Sequence, residues 1–180
     1  STMGLYDGGV VFNDVFDAKL DAVERPESPI PSGIVNKTAA ALWGALLLIT
    51  GIIAAANVHE DVFSISAVLS VAIAACALVY DKWCKHHFIA GPFTMGLCRG
   101  LNLLLGISII PAAVNTYWLL CLVPVIYIAA ITTVSRGEVH GGNKTNLYLA
   151  VCLYVLEVAT LLVFSVIQQH WETAVFLIAG

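Results

Sequence analysis

Three features of this chain predict an all-α bundle of transmembrane helices. Its 180 residues are 59% hydrophobic and only 11% charged, with a mean hydropathy of +0.90, more apolar than a soluble domain of this length. The apolar residues gather in runs close to the ~20 residues that cross a bilayer as a helix. Between those runs, loops that carry lysine and arginine alternate with loops that carry neither, the charge pattern of a multi-pass protein.

In chain order, the first run covers about Met3 to Phe16 and reads as a span cut short. Five runs follow at approximately Thr38 to Asn57, Val62 to Tyr80, Phe88 to Ile110, Thr116 to Val134 and Leu147 to Ile167, and another begins near Thr173 and stops at Gly180. Lys19, Arg25 and Lys37, then Lys82 and Lys85, then Arg136 and Lys144 fall in every second loop; Asn57 to Asp61, Pro111 to Asn115 and Gln168 to Glu172 are turns without them. Seven of the eight basic residues thus share one face, assigned as cytoplasmic because short cytoplasmic loops collect them. The sequons at Asn36 and Asn143 fall on that side and are not expected to be glycosylated. A net charge of −4 and a pI near 5.6 leave no basic surface for nucleic acid. The five cysteines have no paired metal-ligand spacing and read as small packing residues. The opening Ser1-Thr2-Met3 is no basic lead into a short apolar run, so no cleavable signal is expected and the start reads as the middle of a helix.

The informative polar segment is Asn13-Asp14-Val15-Phe16-Asp17-Ala18-Lys19-Leu20-Asp21. At about 100° per residue on a helix, Asn13, Asp17, Asp21 and Asp14 fall near 0°, 40°, 80° and 100°, so one side of the helix gathers four oxygen-bearing groups. Such a patch repels itself unless a cation sits on it. Hard oxygen donors of this kind suit Mg²⁺, which takes one or two carboxylates and fills its other positions with water and substrate phosphates. The pattern therefore points to a diphosphate held through magnesium; a solvated acidic helix end is the plainer alternative. Pro26, Pro29 and Pro31 then forbid a continued helix and hold Arg25 in a constrained loop.

Two further polar groups stand inside apolar runs. An arginine in hydrocarbon costs roughly 2.5–3.5 kcal/mol on insertion scales and usually faces a bundle interior. Arg99 lies seven residues beyond Pro92, about 10 Å along its helix, with Asn102 on the same face. Either the arginine snorkels to the headgroups, or the pair lines a cavity opening toward the carboxylates, where a guanidinium can bind diphosphate oxygens. Glu157 is the second buried charge, with no partner legible in the sequence, and stays outside the expected site. Gly51, Gly96, Gly100 and Gly106 are expected to permit close helix packing.

The helix end N-D-x-x-D-x-x-x-D over Asn13 to Asp21, followed by R-P-x-x-P-I-P-S-G over Arg25 to Gly33, resembles the first aspartate-rich motif of the UbiA superfamily of intramembrane prenyltransferases. Ser28 stands where many members carry a second arginine. The resemblance implies a single membrane domain over 1–180 with a UbiA-like fold, a fragment covering about spans two to eight of a nine-span protein. It implies transfer of a prenyl group from an allylic prenyl diphosphate to a lipid or aromatic acceptor among the membrane lipids, with Mg²⁺ as cofactor. Asn13, Asp14, Asp17 and Asp21 would be metal ligands, Asp17, Asp21 and Arg25 the catalytic set, and Arg25, Lys85, Arg99 and Asn102 the substrate contacts. Lys85 matches the family's basic loop after its fourth span. Where members place paired aspartates in a second cytoplasmic motif, this chain has Ser135-Arg136-Gly137-Glu138-Val139-His140-Gly141-Gly142-Asn143-Lys144. Glu138 would be the only acidic ligand there, a departure similar to the EboC-like branch. A membrane protein that binds an isoprenoid or hydrophobic metabolite without transferring it is the alternative that this loop favours. A transporter would call for an internal repeat, and the sequence shows none.

Overall fold

In the computed structural model, which describes residues 1–59, 64–87, 89–139 and 144–167, the chain is helical and its elements follow the apolar runs. Helix α1 spans Thr2–Glu24. It continues through the acidic segment because neither glycine nor proline interrupts it there, and it stops at Arg25, whose successor Pro26 lacks an N–H to extend the ladder. Residues 25–36 form consecutive turns, closed by Ser28 N–H to Arg25 O at 3.0 Å and Val35 N–H to Pro29 O at 2.9 Å. Gly33 supplies the left-handed backbone with φ of 78°. Asn36 caps α2 (Lys37–Ala56) by accepting from the Thr38 N–H at 2.8 Å; its side chain is thus part of a helix end.

Helix α3 (Ile65–Val79) is capped by Ser64 and widens into a π turn over Tyr80–Cys84, where the Lys85 N–H reaches back to Tyr80 O at 2.9 Å. Helix α4 spans Ala90–Ile107. Pro111 opens α5 (Pro111–Tyr117) at a position where its fixed φ suits the first helical turn. The turn expected over Pro111 to Asn115 is therefore helix, and the reversal occurs just before it. A 3₁₀ turn over Trp118–Cys121 joins α5 to α6 (Leu122–Val139), and α7 covers Lys144–Ile167. The segment from Thr173 to Gly180 lies outside the described residues.

Among the described residues, three stretches are long and apolar enough to cross a membrane: Lys37–Ala56, Ile65–Cys84 and Pro111–Thr132. Their large apolar side chains face outward, Leu42 at 68% and Val68 at 58% exposure among them, as expected where the solvent is lipid. The core lies between the first four helices: Leu5, Leu48, Ala55, Ile73, Ala74 and Leu105 are buried together, with Phe12, Leu69 and Leu101 against them.

Helices α1 and α2 pack antiparallel through glycine. A Cβ at Gly4 would lie 2.8 Å from Leu47 O, one at Gly8 2.8 Å from the Leu48 side chain, and one at Gly51 3.0 Å from Leu5. The pairing of α4 with α6 repeats the device, since a Cβ at Gly96 would meet Val125 at 2.9 Å and one at Gly100 would meet Cys121 O at 2.5 Å. Close approach of this kind is how helices gain contact where lipid removes the hydrophobic drive between them. Gly106 has open space around it, so the packing role expected for it is not realised. At one end of the bundle α3 and α4 are tied by polar groups: the Ser66 and Ser108 hydroxyls lie 2.7 Å apart, and His59 Nε2 is 2.9 Å from Ser108 O. The other end of the same helices holds the π turn and, across from it, the C-terminal half of α1.

Candidate functional site

The acidic helix end divides its carboxylates between two cations of the protein itself. Lys85, carried just beyond the π turn, points its ammonium at α1, where it forms an ion pair with Asp17 and donates to Asn13 Oδ1 at 3.3 Å. Both members of the pair are largely buried, their side chains 12% and 16% exposed. One turn further along, Asp21 is 3% exposed and takes two hydrogen bonds from Arg25, from Nε at 3.2 Å and from Nη2 at 2.8 Å. The Asp21 hydrogen bond, and after it the Asp21 charge, push the Arg25 guanidinium above its ordinary pKa and keep it charged. That guanidinium remains 59% exposed, so one edge of its fork is available to an oxyanion.

Asp14 is exposed and faces the proline turns with Asp21, Arg25, Ser28 and Pro29, around a small cleft of about 210 Å³. The helical spacing thus gathers all four predicted α1 groups, but the structure separates Asn13 and Asp17 on the Lys85 side from Asp14 and Asp21 on the Arg25 side. Self-repulsion in the acidic patch is answered by Lys85 and Arg25.

A cavity of about 690 Å³ opens between α1, α3 and α4. Asn13, Tyr80 and Asp81 line its wall along with Tyr6, Arg99 and Asn102. Arg99 lies over the Tyr6 ring, 5.4 Å from its centroid. Tyr6 precedes Asp17 by eleven residues, about 16 Å along α1, so Arg99, itself exposed, lies toward the end of the cavity away from Asp17. Asn102 shares it, as the three-residue spacing requires. Cys98 also lines this space, and all five cysteines are free.

Glu138 lies on the last turn of α6, and its side chain is outside the described residues, as are those of Arg136 and Glu157; His140 to Asn143 lie wholly outside them. The antiparallel pairing of α4 and α6 carries the α6 C-terminus toward the end of the bundle that holds Lys85. Asp81 is a residue that sequence reasoning left out of the site. It sits at the end of an apolar run among Lys82 and Lys85, the place of a solvated loop carboxylate, yet the π turn buries it to 5% exposure. A lone acid at the end of a span is the only signal the sequence carries for it.

Among the described residues no three of His, Cys, Asp and Glu converge as a metal cluster. The donor set can be judged on its chemistry. Asn13 and Asp17 direct oxygens at one shared positive group, the Lys85 ammonium, and further carboxylates stand one turn away. Hard oxygens in that number fit Mg²⁺, which is satisfied by one or two carboxylates when water and phosphate complete its shell.

The apolar helical bundle thus holds an open cavity beside helix ends that carry paired carboxylates and cations. The sequence pattern described as the UbiA prenyltransferase family matches residues 2–180, and the chain belongs to that family. It is an integral membrane protein. Among curated relatives, the digeranylgeranylglyceryl phosphate synthase of Methanothrix thermoacetophila is 28% identical over 77% of this chain and 52% of its own length. The protein of the same name from Saccharolobus solfataricus is 27% identical over 95% of this chain and 56% of its own. That of Methanosarcina mazei is 34% identical over 56% and 34%. The chain thus spans about half the length of the relatives it matches most broadly. No solved structure matches it at the significance these relatives reach.

Proposed function

We propose that the protein transfers a prenyl group from an allylic prenyl diphosphate to an acceptor within the membrane, with Mg²⁺ as cofactor. The observation that carries this reading is the continuity between the apolar cavity and the charged helix ends, with Asn13 on the cavity wall and hydrogen-bonded to Lys85. A space of several hundred cubic ångströms whose wall mixes apolar residues with polar ones such as Asn13, Arg99 and Asn102 suits an amphiphile: the isoprenoid lies along Leu5, Val10 and Ile73, and the diphosphate meets Lys85 and Arg25. Those cations stabilise charge on the departing diphosphate, Lys85 from a largely buried position where a fixed charge acts strongly and Arg25 from its exposed edge. Asn13 and Asp17, with Asp21 and Asp14 beside them, would hold Mg²⁺; when bound it supplies Lewis-acid neutralisation of the leaving group. Arg99 and Asn102 belong to the part of the substrate space farther from Lys85, and Glu138 would add a carboxylate from the α6 end.

The relatives' name describes synthesis of a glyceryl phosphate that carries two geranylgeranyl chains, and we extend from it a lipid acceptor in preference to an aromatic one. We further assign the Lys85 end to the cytoplasmic side, because Lys19, Arg25, Lys37, Lys82 and Lys85 all gather there. A second reading, a binder that retains the donor without transferring it, draws support from Glu138 being the only acid between Ser135 and Lys144.

The deciding experiment follows radiolabelled geranylgeranyl diphosphate with the full-length protein in detergent, measuring donor binding and diphosphate release across lipid and aromatic acceptors. Magnesium-dependent release with acceptor is the expected result. Tight donor binding with no release under any acceptor replaces the transferase by the binder.

A further inference from the structure

One buried carboxyl on the cavity wall is left unused by the reading above. Asp81 is 95% removed from solvent by its surroundings, at 5% exposure, and it lines the same cavity as Asn13, Tyr80, Arg99 and Asn102. Its carboxyl makes no hydrogen bond and no ion pair among the described residues; the ion pairs there are Arg25 with Asp21 and Lys85 with Asp17. A buried carboxyl without partners costs several kcal/mol in general, so its persistence calls for a partner that arrives from outside.

The backbone beneath it is also unusual. Tyr80–Cys84 is a π turn, a rare geometry that recurs at functional sites. Lys85, at the end of that turn, points to Asp17 and Asn13, while Asp81, at its start, belongs to the cavity. One turn therefore serves both the leaving-group end and the apolar chamber next to it. Asp81 thus shares its turn with the lysine assigned above to the leaving diphosphate.

We propose that Asp81 receives the acceptor: its carboxylate accepts the hydrogen bond of the acceptor's hydroxyl and takes that proton as transfer occurs. This rests on the prenyl-transfer reading. The allylic carbon–oxygen bond breaks with its electron pair leaving on the diphosphate. The acceptor oxygen supplies the pair for the new carbon–oxygen bond, its O–H bond breaks, and the proton moves to an Asp81 carboxylate oxygen, from which solvent removes it after product leaves. No oxidant or further reactant is needed. An acceptor with a free hydroxyl on an otherwise apolar body is the class that such a wall selects.

The test uses the full-length protein with geranylgeranyl diphosphate and, as acceptor, a glyceryl phosphate carrying one geranylgeranyl chain and one free hydroxyl. Asp81→Asn keeps size and hydrogen-bonding capacity but cannot take a proton. Its turnover is expected to fall about a hundredfold or more, the usual worth of a positioned base, with the donor dissociation constant unchanged within about twofold. Asp81→Glu should recover part of the turnover, which a merely structural role would not allow. Donor binding and thermal unfolding of Asp81→Asn report that the fold survives. Turnover of Asp81→Asn within about threefold of the parent overturns the proposal and leaves the transferase intact, as does a donor affinity that falls in parallel with turnover. A parent that binds donor but transfers to no acceptor overturns both.

Discussion

Asp21 and Arg25 act as one group. The carboxylate is buried, the guanidinium is held to it by two hydrogen bonds, and only the arginine has an exposed edge. In the proposed function Arg25 touches the diphosphate and Asp21 fixes where it does so. Arg25→Gln and Asp21→Asn are each expected to weaken donor affinity by roughly tenfold, the scale of one charge-assisted hydrogen bond. Without magnesium, the double variant should lose no more than Arg25→Gln alone. Calorimetry on the four proteins checks this, and additive losses would show that Asp21 has a contact of its own. At this scale the sequence was informative because helical spacing is simple arithmetic: Asn13, Asp14, Asp17 and Asp21 do lie toward one side of α1. Which cation answers which acid was not legible, because Lys85 approaches from 68 residues away and its aim depends on how α3 ends.

At the scale of elements, the apolar runs located the helices because bilayer thickness sets their length and every backbone group must bond within the segment. Boundaries are less legible in loops free of lysine and arginine, where the turn expected over Pro111 to Asn115 is helix. Pro111 starts a helix, since the missing N–H belongs to a position that has no intrahelical partner anyway. The π turn at Tyr80–Cys84 had no signature, as apolar periodicity runs on through it. Glycines give the sharpest test of packing. Gly100→Ala places a methyl against the Cys121 carbonyl, backbone that cannot step aside, and should cost about 1–3 kcal/mol by overpacking. Gly106→Ala meets open space and is expected to be neutral or to stabilise by up to about 1 kcal/mol. Unfolding of both variants in detergent measures the contrast; equal losses would mean that α4 and α6 do not meet at Gly100.

For the whole molecule, the alternation of charged and uncharged loops predicts which helix ends lie together, and the fold joins the ends of α1 and α3 through Lys85 and Asp17, while His59 and Ser66 meet Ser108 at the far end. Sidedness in the cell remains the proposal made above. A reporter fused after Lys85 should be accessible from the cytoplasm and one fused at His59 should not. Cytoplasmic accessibility of His59 would invert the assignment. The cavity itself was only hinted at by Arg99 and Asn102, because a void is a property of three packed helices and no single segment encodes it.

In the proposed function, the Lys85 ammonium on Asn13 and Asp17 makes the resting protein a competitor for the magnesium and diphosphate it would bind. A divalent cation arriving alone must evict a covalently tethered monovalent one, and a diphosphate arriving alone must draw the lysine off two oxygens that want it back. Arriving together, the two ligands exchange partners with the pair: the cation takes the oxygens, the diphosphate takes the ammonium, and no charge is left bare. Binding of each should therefore be cooperative with the other, by the same factor in both directions. Titrations of Mg²⁺ with and without a non-reactive prenyl diphosphate analogue should differ by about tenfold or more in apparent affinity, a coupling of roughly 1–3 kcal/mol. In Lys85→Met that coupling should shrink, because magnesium alone then binds more tightly than in the parent while the analogue alone binds more weakly. Equal magnesium affinity in the parent and Lys85→Met would mean that the lysine leaves those oxygens at no cost.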